Sequence, residues 1–323
     1  MEQRGGSTPG LRVDYAEYAL ERTQAMDSPK AHARVPLLAR AGEQPRGAAR
    51  THRGKQTLWA VSDLHAAVKA NRDPIETINP SNPGDWLIVA GDVAERTGLV
   101  IDVLRTLRAK FETVIWVPGN HELYCRSKDP FTGRQKYEEL VQGCRDIDVL
   151  TPEDPYPVFG DHTIVPLFTL YDYTFRFPGM TVEQAIQSAH DREIVMTDEF
   201  AIAPFVDIRG WCWDRLAYSI KRLSKVEGKT ILINHWPLAI EPCESLYYRE
   251  LQLWCGTRHT RTWPARYQAS ACVFGHLHIP GVTMVDGIPH IEVSLGYPRE
   301  WGQRDEEQRR PWPYPVLEVD NDA

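Results

Sequence analysis

The sequence predicts an α/β protein with buried parallel strands, and three observations carry that reading. Runs 57–61, 85–90, 112–117, 230–233 and 271–274 are short, β-rich and apolar on both alternations, as strands covered on both faces are. Between the second and third, Leu99, Val100, Val103, Leu104 and Leu107 recur at helical spacing behind Thr97, a predicted N-cap. Strand, helix, strand at these lengths implies a right-handed crossover and therefore parallel neighbours. Finally, each of the five runs ends in polar residues able to bind a metal.

Taken in order, residues 1–56 read as a basic, poorly ordered extension. Gly5-Gly6, Pro9, Gly42, Pro45, Gly47 and Gly54 interrupt it, and a short helix over 13–25 would have little apolar area with which to dock. Order is expected from Thr57, which places the main domain at 57–301. Beyond the third strand, Tyr137, Leu140, Val141 and Cys144 share one helical face. Thr181 and Gln184 form a predicted capping box. Trp213, Leu216, Ile220 and Leu223 mark another helix and are read as core. Residues 163–173 read as a strand, and Asp286-Gly287, between 282–285 and 288–293, as a two-residue hairpin turn. After Trp301 the chain is polar and proline-rich. Residues 302–323 are expected to be a tail running over the surface.

Composition excludes several classes. The chain has 323 residues, 42% apolar and 25% charged, enough for a large core. No apolar run approaches the roughly 18 residues that span a bilayer, and the first thirty residues lack a secretory pattern. Six scattered cysteines with no C-x-x-C pair read as reduced thiols, so a cytoplasmic location is expected. The net charge is -7; ten of the 37 Lys/Arg and six of the 44 Asp/Glu fall in residues 1–56, leaving 27 and 38 on the remainder. An acidic body is a poor nucleic-acid binder, because that affinity comes from Lys and Arg displacing counterions.

In a sheet with parallel strands the carboxyl ends lie along one edge, where loops form the ligand crevice. Asp63, His65, Asp92, Asn120, His121, His235, His276 and His278 would converge there from over two hundred residues of sequence. Asp and His with no Cys suit zinc, iron, manganese or cobalt. Asp92, after a glycine, is the natural bridge between two ions. Two metals about 3.5–4 Å apart can clamp a phosphoryl group and bring the pKa of water toward roughly 7.

The motifs Asp63-x-His65, Gly91-Asp92, Gly119-Asn120-His121-Glu122, Asn234-His235 and Gly275-His276-x-His278 resemble those of the calcineurin-like metallophosphoesterases. The likeness runs from Thr57 to about Trp301. One departure is Glu95, where that family usually has Asp. The resemblance implies a four-layer α/β/β/α sandwich of two mixed β-sheets. It implies one metal held by Asp63, His65, Asp92 and His278, and another by Asp92, Asn120, His235 and His276. Manganese and iron are the metals expected, with zinc or cobalt as alternatives. Asp92 and Asn120 would serve catalysis as well. His121 would be the general acid, with Glu122 setting its tautomer and Glu95 in the outer layer.

Segments 85–96, 117–123, 150–158, 170–174, 254–257, 275–280 and 293–301 are similar to an actinobacterial branch of that family. The branch includes a mycobacterial hydrolase that removes 4′-phosphopantetheine from acyl carrier proteins. This implies a metal-dependent phosphodiesterase with an acyl carrier protein as substrate and partner. A small-molecule or nucleotide phosphatase or phosphodiesterase is the alternative, and a metal-free binding scaffold a third. Arg96, Arg258 and Arg261 are the candidate substrate contacts, Arg258 and Arg261 within a basic stretch that also holds Arg249 and Arg266.

Overall fold

A computed structural model describes residues 54–303 and 311–320. Its strands are β1 (Lys55–Val61), β2 (Trp86–Val89), β3 (Thr113–Trp116), β4 (Val158–Phe159), β5 (His162–Pro166), β6 (Lys229–Ile233), β7 (Ala269–Phe274), β8 (Gly281–Val285), β9 (Ile288–Glu292) and β10 (Tyr314–Asp320). They form two mixed sheets, ordered β10-β1-β2-β3 and β4-β5-β6-β7-β9-β8. In the first, β1, β2 and β3 are parallel and β10 is antiparallel. In the second, β5, β6, β7 and β9 are parallel, with antiparallel β4 and β8 at the edges.

The longer helices are α1 (Thr97–Arg108), α2 (Arg134–Arg145), α3 (Val182–His190) and α4 (Ile208–Leu223). The sheets pack face to face: Leu58, Ala60, Ile88 and Ile115 from the first share one core with Ile164, Ile231, Ile233, Val273 and Ile291 from the second. α1 turns Val100, Leu104 and Leu107 inward, and α2 buries Tyr137, Leu140, Val141 and Cys144. Among the described residues no helix is long and apolar enough to cross a membrane.

The Thr181–Gln184 capping box forms in both directions, at 2.9 and 3.2 Å. Asp286 and Gly287 take φ of 50° and 79°, as a two-residue hairpin turn requires. Four details depart from the sequence reading. The strand expected over 163–173 ends at Pro166, because Leu170 and Tyr173 adopt positive φ and turn the chain out of extended pairing. Thr97 is the first helical residue rather than the cap; extended Arg96 precedes it. The stripe buried by α4 is Trp211, Cys212, Arg215, Leu216, Ser219 and Leu223, while Trp213 is half-buried and donates its indole N–H to Asp172 at 3.1 Å. Within the expected tail, residues 314–320 form β10, paired with β1 from Lys55 opposite Asp320 to Ala60 opposite Tyr314. The expected extension and its short helix fall almost wholly on residues 1–53, outside the described residues.

Candidate metal centre

Parallel strands deliver their carboxyl ends to one side, and five turns there carry the predicted residues. Asp63 and His65 follow β1, Asp92 follows β2, and Asn120 and His121 open a one-turn helix (Asn120–Leu123) after β3. His235 follows β6, and His276 and His278 follow β7. Asp63, His65, Asp92, His276 and His278 all have positive φ, between 42° and 73°. Such backbone costs roughly 1–3 kcal/mol per residue and persists where the surrounding structure enforces it. The turns are also tight. A Cβ on Gly119 would collide with the Asp92 carboxylate, and one on Gly275 with Ser62 and Asp63.

The side chains converge. Asp63 Oδ1 lies 3.0 Å from His278 Nε2, which lies 3.1 Å from His65 Nε2. Asp92 Oδ2 lies 3.5 Å from His235 Nε2 and 3.8 Å from His121 Nε2. Asn120 Oδ1 lies 3.2 Å from His235 Nε2 and 3.1 Å from His276 Nδ1. Asp63, Asp92 and His235 place coordinating atoms within 4.8 Å of one another; so do Asp63, His65 and His278, and also His65, Asp92 and His121.

A surrounding layer fixes which atoms point inward. His235 Nδ1 is bonded to Ala90 O at 2.8 Å, which leaves Nε2 bare toward the cluster. His278 Nδ1 is bonded to Glu300 at 2.8 Å, and its Nε2 faces Asp63 at 3.0 Å. His276 hydrogen-bonds the Trp254 backbone. Asn120 donates its amide N–H to Tyr124 (2.9 Å) and Asp198 (3.0 Å), turning its oxygen inward. Ser294 donates to Asp63 at 2.6 Å and also contacts Glu292. Tyr297 stacks on His65 with ring centroids 4.4 Å apart.

The donor set fits cations. Asn120 Oδ1 and His235 Nε2 are both lone-pair atoms, so their 3.2 Å approach lacks a proton between them. Burial and neighbouring imidazoles hold His276 down to about 3, and burial holds His65 down to about 4, so both are neutral ligand forms. Burial, then Asp63 and Glu122, push the Asp92 carboxyl well above its usual range. Burial opposes charge on His278, but Asp63 and Glu300 outweigh it and lift its pKa to about 11. The cluster as folded therefore favours positive charge among its carboxylates. Nitrogen and oxygen donors without thiolate suit manganese, iron, zinc or cobalt.

Glu122 does not face His121 as the sequence reading expects. Its carboxylate accepts backbone N–H groups of Asp92 (2.9 Å), Val93 (2.6 Å) and Gly119 (2.7 Å), tying two strand-end turns together. The acid beside His121 Nδ1 is Glu95, at 3.9 Å. Two of the three candidate arginines are occupied elsewhere. Arg258 donates to Thr174 O at 2.7 Å, Arg261 pairs with Glu241 and Asp286, and Arg96 is exposed at the start of α1. Sequence reasoning missed Asp198, Tyr124, Ser294, Glu292, Tyr297 and Glu300. The last four lie in or beside segment 293–301, whose family likeness was a signal; Asp198 had none.

A family model for calcineurin-like phosphoesterases matches residues 57–280. The chain is 47% identical over 259 residues to the [acyl-carrier-protein] phosphodiesterase PptH of Mycobacterium tuberculosis, covering 77% of this chain and 80% of that protein. It is 25% identical over 158 residues to a symmetrical bis(5′-nucleosyl)-tetraphosphatase of Stutzerimonas stutzeri, covering 47% of this chain and 56% of that protein. The crystal structure of phosphopantetheinyl hydrolase (PptH) from Mycobacterium tuberculosis superposes with a TM-score of 0.75 at 45% identity, covering 80% of this chain and 94% of that one.

Proposed function

The chain belongs to the calcineurin-like phosphoesterase family, metal-dependent hydrolases with a dinuclear centre, and we propose that it cleaves the phosphodiester joining 4′-phosphopantetheine to the serine of an acyl carrier protein. The observation that carries this is the 47% identity to PptH, which extends over 77% of the chain and so well beyond the metal motifs. Asp63, His65, Asp92 and His278 would hold one ion, and Asp92, Asn120, His235 and His276 the other. Manganese and iron are the metals proposed. When bound, the pair supplies Lewis acidity toward the phosphoryl group and lowers the pKa of the attacking water.

The protein's own groups do the rest. Asp63 and Asp92 supply buried negative charge, and Asn120 presents a fixed carbonyl oxygen. His121 sits at the rim, 18% exposed, with its ring 4.6 Å from His65. It is the group that would pass a proton to the departing serine oxygen; burial and His65 hold its pKa well below the usual value, so that proton would be taken up from solvent at the rim, and Glu95 lies 3.9 Å from its Nδ1. A monoester carries an extra negative charge and would want Lys or Arg in the cluster. Among the described residues the converging atoms come from Asp, His and Asn, which favours a diester over the phosphatase alternative. A carrier-protein substrate supports a cytoplasmic location, in keeping with six free, buried cysteines.

Holo carrier protein incubated with enzyme and Mn²⁺ should lose the mass of its arm and release 4′-phosphopantetheine. An unchanged carrier beside a cleaved aryl diester would overturn the substrate and keep the chemistry. In the same assay His121→Ala should lower turnover by about 10²-fold or more with metal content unchanged. Metal loss in that variant would instead make His121 a ligand.

A further inference from the structure

Asp198 lies far from every motif, at the start of a one-turn helix (Asp198–Ala201) in the insert between β5 and β6. Its side chain is completely buried, and an isolated buried carboxylate is costly. Three donors converge on it. Tyr171 donates its hydroxyl to Oδ2 at 2.9 Å, and Tyr124 donates to Oδ1 at 2.9 Å. Asn120 donates its amide N–H to Oδ1 at 3.0 Å, and the same nitrogen donates to the Tyr124 oxygen at 2.9 Å.

Of these partners only Asn120 has a choice of face, because its amide carries an acceptor at one corner and donors at the other. Flipped, its oxygen would meet the carboxylate and a phenol oxygen whose proton is already given to that carboxylate. The NH₂ group would meet His235 Nε2, whose bare lone pair is fixed by the bond from Nδ1 to Ala90. It would also meet His276 Nδ1. The bonds around Asp198 hold the amide in the opposite sense, oxygen inward.

We propose that Asp198 is a positioning residue that selects the Asn120 amide orientation and thereby sets the affinity of the centre for its second cation. This rests on the reading of Asn120 as a ligand. It also makes the insert, rather than the strand-end motifs alone, a determinant of metal loading. Neighbouring exposed Phe200, 68% accessible, shows that this short helix has one foot in the site and one at the surface.

The test is Mn²⁺ binding by full-length apo-protein in equilibrium dialysis, read as stoichiometry and affinity rather than turnover. Asp198→Asn, close in shape but carrying donors of its own, should bind the first ion as wild type does and the second about 10- to 100-fold more weakly. Tyr124→Phe should move the same step in the same direction, and serves if Asp198→Asn fails to fold. In an Asn120→Ala background, Asp198→Asn should add little, since coupled residues are not additive. Wild-type affinity at both steps in Asp198→Asn and Tyr124→Phe, or full additivity with Asn120→Ala, would overturn the proposal. Loss of both ions with Asn120→Ala causing no defect would instead sink the underlying ligand assignment. Turnover of an aryl diester by wild-type protein, run alongside, reports separately on the reaction class.

Discussion

Two buried polar clusters in this molecule solve the same problem in opposite ways. Around Arg215 the charges are settled internally. Its Nη2 lies 2.7 Å from Glu153, its Nε donates to Phe168 O at 3.2 Å, and the rings of Tyr218, Phe168 and Tyr137 enclose it at 4.5–5.5 Å. Tyr137 donates to the same Glu153 oxygen at 2.7 Å. At the strand ends, by contrast, Asp63 accepts from Ser294, the His276 N–H and His278, and Asp92 from the His121 N–H, while Asn120 Oδ1 and His235 Nε2 face each other with no proton between them and no Lys or Arg among the described residues converges there. Two acceptors held face to face, as Asn120 Oδ1 and His235 Nε2 are, normally cost stability. One cluster holds the fold; the other holds a place for something that is not protein.

The sharpest way to break this contrast is Asp92→Asn. Turnover should fall by roughly 10³-fold, the scale of losing an electrostatic stabiliser. The metal-free protein should nevertheless melt higher. A carboxyl whose folded pKa is raised resists ionisation, so its charge weighs against the folded state once pH exceeds the ordinary Asp value of 3.8. Removing that charge removes the penalty at pH 7. A lower apo melting temperature would mean that the cluster is self-satisfied after all.

Arg215→Ala should do the reverse: about 3–5 kcal/mol of stability lost, measured by urea unfolding, with the cation site still able to bind. Burial alone would raise the Glu153 pKa, but Arg215 and the tyrosine hydroxyls outweigh it and depress it. The stability from that pairing is therefore present above the ordinary Glu value of 4.5 and is lost as pH falls through the lower folded value. In Arg215→Ala this part of the acid limb should disappear. Smallest of the three, Mn²⁺ at a hundred times its dissociation constant should stabilise wild type by about 2.7 kcal/mol. The rise in melting temperature should vanish in Asp92→Asn and survive in Arg215→Ala.

The five strand ends were legible because short, doubly apolar runs have one interpretation, and because a strand end shows itself where apolar residues stop. Glu122 was placed in the right layer with the wrong partner, since a carboxylate beside a histidine in sequence can turn instead to backbone N–H groups of another turn. Asp198 was invisible: nothing local marks an acid that reaches Asn120, 78 residues away. β10 escaped because a proline-rich approach hid its pairing with β1. The strand expected over 163–173 ran too long because Leu170 and Tyr173 keep an apolar pattern after the backbone has left the sheet.

The proposed donors are dealt out between residues 63 and 278 and follow strands of both sheets. No fragment that stops before β7 carries the full proposed set for either ion. A chain still emerging from the ribosome, or clipped between the sheets, would lack the far half of its coordination sphere. Under that assignment cation capture would wait until β7 has docked, and a molecule lacking β7 could not attack a passing phosphate ester.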